Sequence, residues 1–365
     1  MNEIEALTIL AATPGLGPVK NKLLINYFGS ALKTLNASLK DISQLPALSV
    51  ETKTKWKWWE HDPIWKKNLE CAENQDIKII PFTSADFPTK LLALHDHPLL
   101  LYVKGSLNNC DKQSLGVVGT RDASIYGLEM AEKISSDLAR NRFTVVSGLA
   151  RGIDTAAHKG ALATGRTIAV IGSGLGAIYP TENTQLADRI AENGAVISEF
   201  SMYTPPNKQN FPRRNRIVSG MTLGALLIEA PIKSGAMITM EKSLEYKRKL
   251  YAIPGRADLE NFKGNHYLIK SGVATLVENA QDIVESSGRL FDTNQLIPEL
   301  QSVYANLDKE EKEFLEMLPS EELNIEEIIK RTKLPIIKLN ILLMSLMMKK
   351  ALKEYPGKIY KKGLG

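Results

Sequence analysis

The stretch LGVVGTRDASIYG, residues 115–127, decides the fold. Its first four residues are apolar or small, a run suited to burial on both faces, as a strand inside a parallel sheet requires. Gly119-Thr120-Arg121 breaks the run, and an amphipathic pattern then extends over residues 126–141. Strand, glycine turn and helix make half of a βαβ unit. The unit recurs: apolar runs at 144–146, 167–171, 195–198, 225–228, 250–253 and 274–277 alternate with helical patterns at 153–163, 183–192 and 236–248. Such alternation predicts a doubly wound α/β sheet. Gly119, Ser147-Gly148, Gly172-Ser173-Gly174 and Pro254-Gly255 all follow strands. Their turns should converge on the crevice where sheets of this kind hold ligands.

A basic loop should reach the same rim. Thr204, Pro205, Pro206, Asn207 and Lys208 lead into FPRRNR, residues 211–216, after the strand that ends near Ser198. Three arginines near the start of a short helix, one or two turns long, are placed to grip phosphate oxygens with guanidinium forks. Residues 200–256 hold ten Lys and Arg against three Asp and Glu, a surplus of seven where the whole chain has five. A field so concentrated steers polyanions toward it. The competing reading of the arginines is a solvated basic face or an arginine–carboxylate network inside the fold.

The totals narrow the field. With 365 residues the chain has room for two or three domains, and 44% hydrophobic with 24% charged residues is an ordinary globular composition. Cys71 and Cys110 form neither a CxxC pair nor a disulfide framework, which fits a reducing, cytoplasmic setting. The start, MNEIEALTIL, lacks a signal-peptide pattern, and no apolar run approaches the roughly 18 residues of a membrane span. The five histidines are scattered without zinc-ligand spacing, so no metal or other cofactor is expected.

The ends of the chain differ in texture. Residues 1–70 read as a helical domain in which Pro14-Gly15-Leu16-Gly17 resembles the turn of a helix-hairpin-helix element or is a plain helix–helix turn. All four tryptophans, Trp56, Trp58, Trp59 and Trp65, lie among lysines there; packing within the domain or against the sheet is favoured over base stacking. Residues 71–288 form the sheet domain, 289–304 a linker, and 305–365 three helical patterns with a short basic strand at 357–360, a winged-helix-like arrangement. The third of those helices is so apolar that it suits a core or a protein partner better than a DNA groove.

Three kinds of chemistry are open to these residues. Gly119, Thr120 and Arg121 could cradle a phosphate at one strand end, and Ser147, Gly148 and Arg151 repeat the idea at the next. Gly172-Ser173-Gly174-Leu175-Gly176-Ala177 formally fits a dinucleotide fingerprint, with Glu199 as the following acid. That fingerprint needs a helix opening within the glycines, whereas Pro180 marks a continuing loop. A nucleotide hydrolase would need a positioned acid: Glu229 and Glu241 are available, and Asp154 and His158 lie four apart on a helix, but no catalytic triad order emerges. No GxxxxGK[ST] phosphate loop occurs.

These residues together resemble the DNA-processing protein A family, also called Smf. The resemblance spans roughly residues 76–285. It is carried by Phe87-Pro88, His97-Pro98, LYVKG at 101–105, VVGTRDASIYG at 117–127, VVSGLARGIDTAAHKGAL at 145–162 and TIAVIGSGLGAIYPTEN at 167–183. SEF at 198–200, FPRRNRIVSG at 211–220, EAPIKSGAMIT at 229–239 and AIPG at 252–255 complete it. Ile125 and His97 depart from the usual family residues, both outside the basic set. The resemblance implies an extended Rossmann-like domain that binds single-stranded DNA without catalysis, protects it and helps load a RecA-type recombinase, and that forms homodimers. It implies that Arg121, Lys208, Arg214, Asn215 and Arg216 line the DNA crevice with Phe211 beside them, and Arg213 belongs to the same basic set. The alternative is a nucleotide-processing enzyme on the same scaffold, similar to phosphoribohydrolases, whose GGxGTxxE motif is absent here.

Overall fold

The computed structural model describes residues 1–43, 45, 48, 50–54, 56–287, 307–318, 323–332, 334–349, 351–355 and 358–362. They divide into two compact units, Met1–Val284 and Glu285–Gly365. The expected linker at 289–304 lies outside the described residues.

The first unit is built on a nine-stranded sheet. Its strands are β1 (Lys78–Pro81), β2 (Leu100–Gly105), β3 (Ser114–Val118), β4 (Thr144–Ser147), β5 (Thr167–Val170), β6 (Ala195–Ser198), β7 (Gly224–Leu227), β8 (Lys249–Ala252) and β9 (Thr275–Leu276). Their order is β1-β2-β6-β5-β4-β3-β7-β8-β9. From β6 through β9 every pairing is parallel, while β2 joins β6, and β1 joins β2, antiparallel. Every residue of β3, β4, β5, β6 and β7 is buried, the consequence of helices covering both faces. The doubly wound reading thus holds, and its seven strands are all present. The antiparallel pair β1 and β2 is an addition to it: KIIP is too short to show alternation, and LLYVKG lacks the glycine-turn-helix sequel that marked the others.

Helices fall between these strands where the amphipathic patterns placed them, at Ile125–Arg140, Ile153–Thr164, Thr184–Asn193 and Gly235–Glu245. Ser124 and Ser234 cap two of them by accepting from the Gly127 and Met237 amides. The basic helix is longer than expected. It runs Asn210–Met221, three turns, because Ile217, Val218 and Met221 bury against the sheet and extend it.

At the start of the unit, helices Glu3–Ala12 and Pro18–Phe28 flank the Gly15 turn, where φ is +77°. Leu7, Leu10, Leu16, Trp56 and Trp65 share one apolar core with Tyr102, Ile171 and Leu186 of the sheet region. The tryptophans therefore pack rather than stand free, and the Trp58 and Trp65 indoles donate to Thr13 Oγ1 and the Trp59 carbonyl.

The second unit holds helices Lys309–Met317, Ile325–Thr332 and Ile336–Met348 and strands β10 (Leu323–Asn324), β11 (Leu352–Tyr355) and β12 (Ile359–Lys362), in the order β10-β12-β11. Leu339, Leu342, Leu343 and Leu346 of its third helix pack on Phe314 and Leu352. Buried Glu311 accepts from Lys349 Nζ and Ser345 Oγ, tying the first helix to the third.

Candidate functional site

The winding of the parallel sheet reverses between β3 and β7. The chain steps outward from β3 through β4 and β5 to β6, then crosses back to lay β7 on the other flank of β3. Connections leaving adjacent strands toward opposite faces open a crevice at the strands' carboxyl ends. A cleft of about 550 Å³ lies there. Its walls are residues 119–122 after β3, Gly148 and Ala150 after β4, Lys208 to Asn215 from the crossover, and Pro231 to Gly235 after β7.

Three exposed cations line this cleft. Arg121 sits with its guanidinium 4.9 Å from the Phe211 ring centroid, a cation–π contact that leaves its donors available. Lys208 comes from the crossover and Lys233 from the segment after β7, and both are exposed. None of the three forms an ion pair among the described residues. Phe211 is itself braced by Tyr179, the ring centroids 6.1 Å apart.

Arg214 forms the floor and is nearly inaccessible. Its Nη1 donates to the Val170 carbonyl at 2.5 Å and its Nε to Asn215 Oδ1 at 3.0 Å, while Asn215 Nδ2 donates to the Gly235 carbonyl at 3.2 Å. The chain of bonds ties β5, the basic helix and the loop after β7 together. Burial lowers the Arg214 pKa, and the nearby Asp154 carboxylate opposes that shift. Burial raises the Asp154 pKa, with the Arg214 charge working against it. Arg214 spends Nη1 and Nε on the Val170 carbonyl and Asn215, so the exposed cations of the cleft are those of its rim.

The remaining sequence candidates lie elsewhere. Arg216 is buried on the opposite side of its helix, paired through Nη2 with the Glu199 carboxylate and through Nη1 with the Asp96 carbonyl. It is the arginine–carboxylate network that the sequence left open. Arg213 stacks over Phe200 at 5.0 Å and approaches Glu199 at 3.9 Å. Arg151 pairs with exposed Glu182 and lines a small adjoining cleft with Arg121 and Phe211. Ser147 is buried and donates to the Val117 carbonyl at 2.7 Å, stapling β4 to β3. Gly119, Thr120, Arg121, Gly148, Lys208, Phe211, Arg214 and Asn215 are the eight that the fold brings to the main cleft. Lys233 and its neighbour Ser234 also line the cleft, beyond the residues expected from sequence. Their signal was the same as at Arg121: a cation and a capping residue between a buried strand and a helix.

The candidate acids are accounted for structurally. Glu229 is buried, and its carboxylate accepts from the Ser124 amide at 3.1 Å, from Ser124 Oγ at 2.6 Å and from Asn261 Nδ2 at 3.0 Å. It anchors Ser124, the residue that caps the Ile125–Arg140 helix. Glu241 is exposed and outside the cleft. His158 turns to Thr167 Oγ1 at 2.7 Å rather than to Asp154. The Gly172–Ala177 loop opens no helix. A Cβ on Gly174 would lie 2.1 Å from the Ser201 carbonyl oxygen, so that glycine serves close backbone approach. Among the described residues no cluster of His, Cys, Asp and Glu could hold a metal ion, and no helix is long and apolar enough to cross a membrane.

Residues 78–288, more than half of the chain and all four cleft walls, match the family model of the DNA recombination-mediator protein A. The chain belongs to that family. Among curated members it is 41% identical over 227 residues to protein Smf of Escherichia coli, a match covering 60% of each chain. It is 42% identical over 199 residues to DNA processing protein DprA of Streptococcus pneumoniae, covering 54% of this chain and 70% of that one. The X-ray structure of DprA from S. pneumoniae superposes with a TM-score of 0.67 at 32% identity, over 78% of this chain and 98% of the other. DprA from Helicobacter pylori, solved for its single-stranded DNA binding mode, superposes with a TM-score of 0.53 at 28% identity, over 57% and 96%. The family match thus takes in the whole sheet domain that carries the cleft, and the S. pneumoniae structure superposes beyond it, over 78% of this chain.

Proposed function

We propose that the chain binds single-stranded DNA in the cleft between β3 and β7, shields it, and helps a RecA-type recombinase assemble on it during natural transformation or recombination, acting as a cytoplasmic homodimer and without catalysis. The observation that carries the reading is the rim: Arg121, Lys208 and Lys233 converge on one cleft with no carboxylate paired to any of them among the described residues, beside the aromatic face of Phe211. Cations of this kind track a flexible phosphate backbone, and an aromatic face stacks any base, so binding tolerates sequence. The nucleotide-enzyme alternative finds its candidate acids engaged within the fold: Glu229 holds Ser124 and Asn261, and Asp154, on the cleft floor beside Arg214, accepts from the Ala150 amide. Membership of the family and the H. pylori relative's described binding mode support the choice of polyanion.

The test is fluorescence anisotropy of matched single- and double-stranded oligonucleotides at two salt concentrations. Salt-sensitive preference for the single strand is expected. Binding to neither, with release of free base from nucleotides, would overturn the reading. Recombinase loading is tested separately, by whether the protein speeds filament assembly on single strands coated with a single-strand-binding protein.

A further inference from the structure

A second cleft, of about 230 Å³, opens where residues 11–21 meet the segment from Glu199 to Arg213. Leu16, Pro18 and Leu99 give it apolar walls, and Arg213, held over Phe200, lies on its rim. Two lining residues carry buried oxygens with no hydrogen-bond partner among the described residues, Asn21 Oδ1 and Glu199 Oε1. Asn21 is 1% exposed and spends its Nδ2 on the Leu10 carbonyl at 3.2 Å. The Glu199 side chain is 5% exposed and spends Oε2 on Arg216. Buried acceptors without donors are costly, and a site left so asks for a ligand that supplies N–H groups.

Position says where that ligand comes from. Lys208, Phe211 and Arg214 of the basic loop and helix face the main cleft, whereas Asn210 and Arg213, on the first turn of the same helix, line the second. A strand gripped along the main cleft needs only to cross that turn to reach the second. Among the bases, guanine alone presents two adjacent donors, N1–H and the N2 amino group, on its pairing edge. Guanidinium planes such as Arg213 are a surface on which bases stack.

We propose that this second cleft is a base pocket that takes one unpaired guanine from the strand held in the main cleft, its N1–H and N2 amino group meeting Glu199 Oε1 and Asn21 Oδ1. The inference rests on the single-stranded DNA reading above.

The experiment measures anisotropy with short oligothymidylates that carry one central guanine, one central inosine or neither. Inosine lacks only the N2 amino group. The guanine probe should bind about threefold to tenfold more tightly than the inosine probe, the worth of one hydrogen bond to a buried partner. Ala12→Phe, which fills the cleft from its rim without removing a polar group, should abolish that difference and leave the all-thymine probe unaffected. Equal affinity for guanine and inosine probes, or a preference that survives Ala12→Phe, would overturn the base pocket. Lys208→Ala separates the two readings. Weaker binding of all probes supports the main cleft whatever the base preference, and unchanged binding removes both proposals.

Discussion

The guanidinium of Arg214 passes so close to Gly148 that a Cβ on the glycine would lie 1.9 Å from Nη1. The turn after β4 therefore has no side chain at this point because the floor of the cleft occupies its space. Gly148→Ala should push Arg214 off the Val170 carbonyl and leave a buried charge poorly satisfied. A loss of about 3 kcal/mol in unfolding free energy is expected, measured by urea denaturation. Single-strand affinity should fall with it, since Phe211 and Asn215 stand on the same helix. Wild-type stability in Gly148→Ala would mean that Arg214 has another place to go.

The rim cations should behave in the opposite way. Lys208 and Lys233 are exposed and form no ion pair among the described residues. Replacing either with alanine should leave stability within about 0.5 kcal/mol. Each should lower the slope of log affinity against log salt by about 0.7, the value for one phosphate contact on a single strand. Arg216→Ala is the contrast, because it strands buried Glu199: stability should drop by about 3 kcal/mol with the salt slope of the residual binding unchanged. A Lys208→Ala protein with the wild-type slope would show that the strand runs elsewhere.

Glu229 discriminates between binding and catalysis. Its carboxylate takes hydrogen bonds from Ser124 and Asn261 at the start of the Ile125–Arg140 helix. Glu229→Ala should therefore cost about 3 kcal/mol through lost charged hydrogen bonds and a Ser124 cap left without its anchor, read by thermal or urea unfolding. If Glu229 were instead a catalytic acid, the variant would keep its stability and lose a hydrolytic activity that the wild type displays.

The physical reasons for success and failure differ along the chain. The parallel strands were legible because burial on both faces writes an unbroken apolar run, and the turn glycines marked their carboxyl ends. Those two signals also located the cleft, since strand ends and the switch in winding determine where it opens. The roles of the four neighbouring residues from Arg213 to Arg216 were not legible. A helix turns about 100° per residue, so adjacent arginines face different surroundings, and only the placement of Glu199, Phe200 and Val170 shows which faces what. Arg214 went to the floor, Arg213 to a second cleft and Arg216 to an internal carboxylate. Lys233 was not legible either, because one lysine after a strand looks like any surface lysine until β7 is known to lie beside β3.

His158 provides a prediction that does not depend on DNA. It is fully buried against β5, with Nδ1 at 2.7 Å from Thr167 Oγ1 and Nε2 without a partner among the described residues. Thr167 Oγ1 donates its own proton to the Val145 carbonyl, so it accepts from His158 Nδ1–H, and the ring is held neutral. Burial, reinforced by the Arg214 charge, pushes the His158 pKa down from 6.5 to about 3. The folded pKa is below the unfolded one, so below pH 6.5 the unfolded chain binds a proton that the native state refuses. The stabilising contribution is complete above that pH and is lost as pH falls toward the folded value, at up to about 1.4 kcal/mol per unit. Asn at this position keeps a donor near that of Nδ1 but cannot titrate. Urea unfolding from pH 7 to pH 4 should therefore show a shallower loss of stability in His158→Asn than in the wild type, although the smaller side chain lowers its stability at neutral pH. Parallel curves would show that the imidazole gains its proton without unfolding, and that the interior beside Arg214 is open to water.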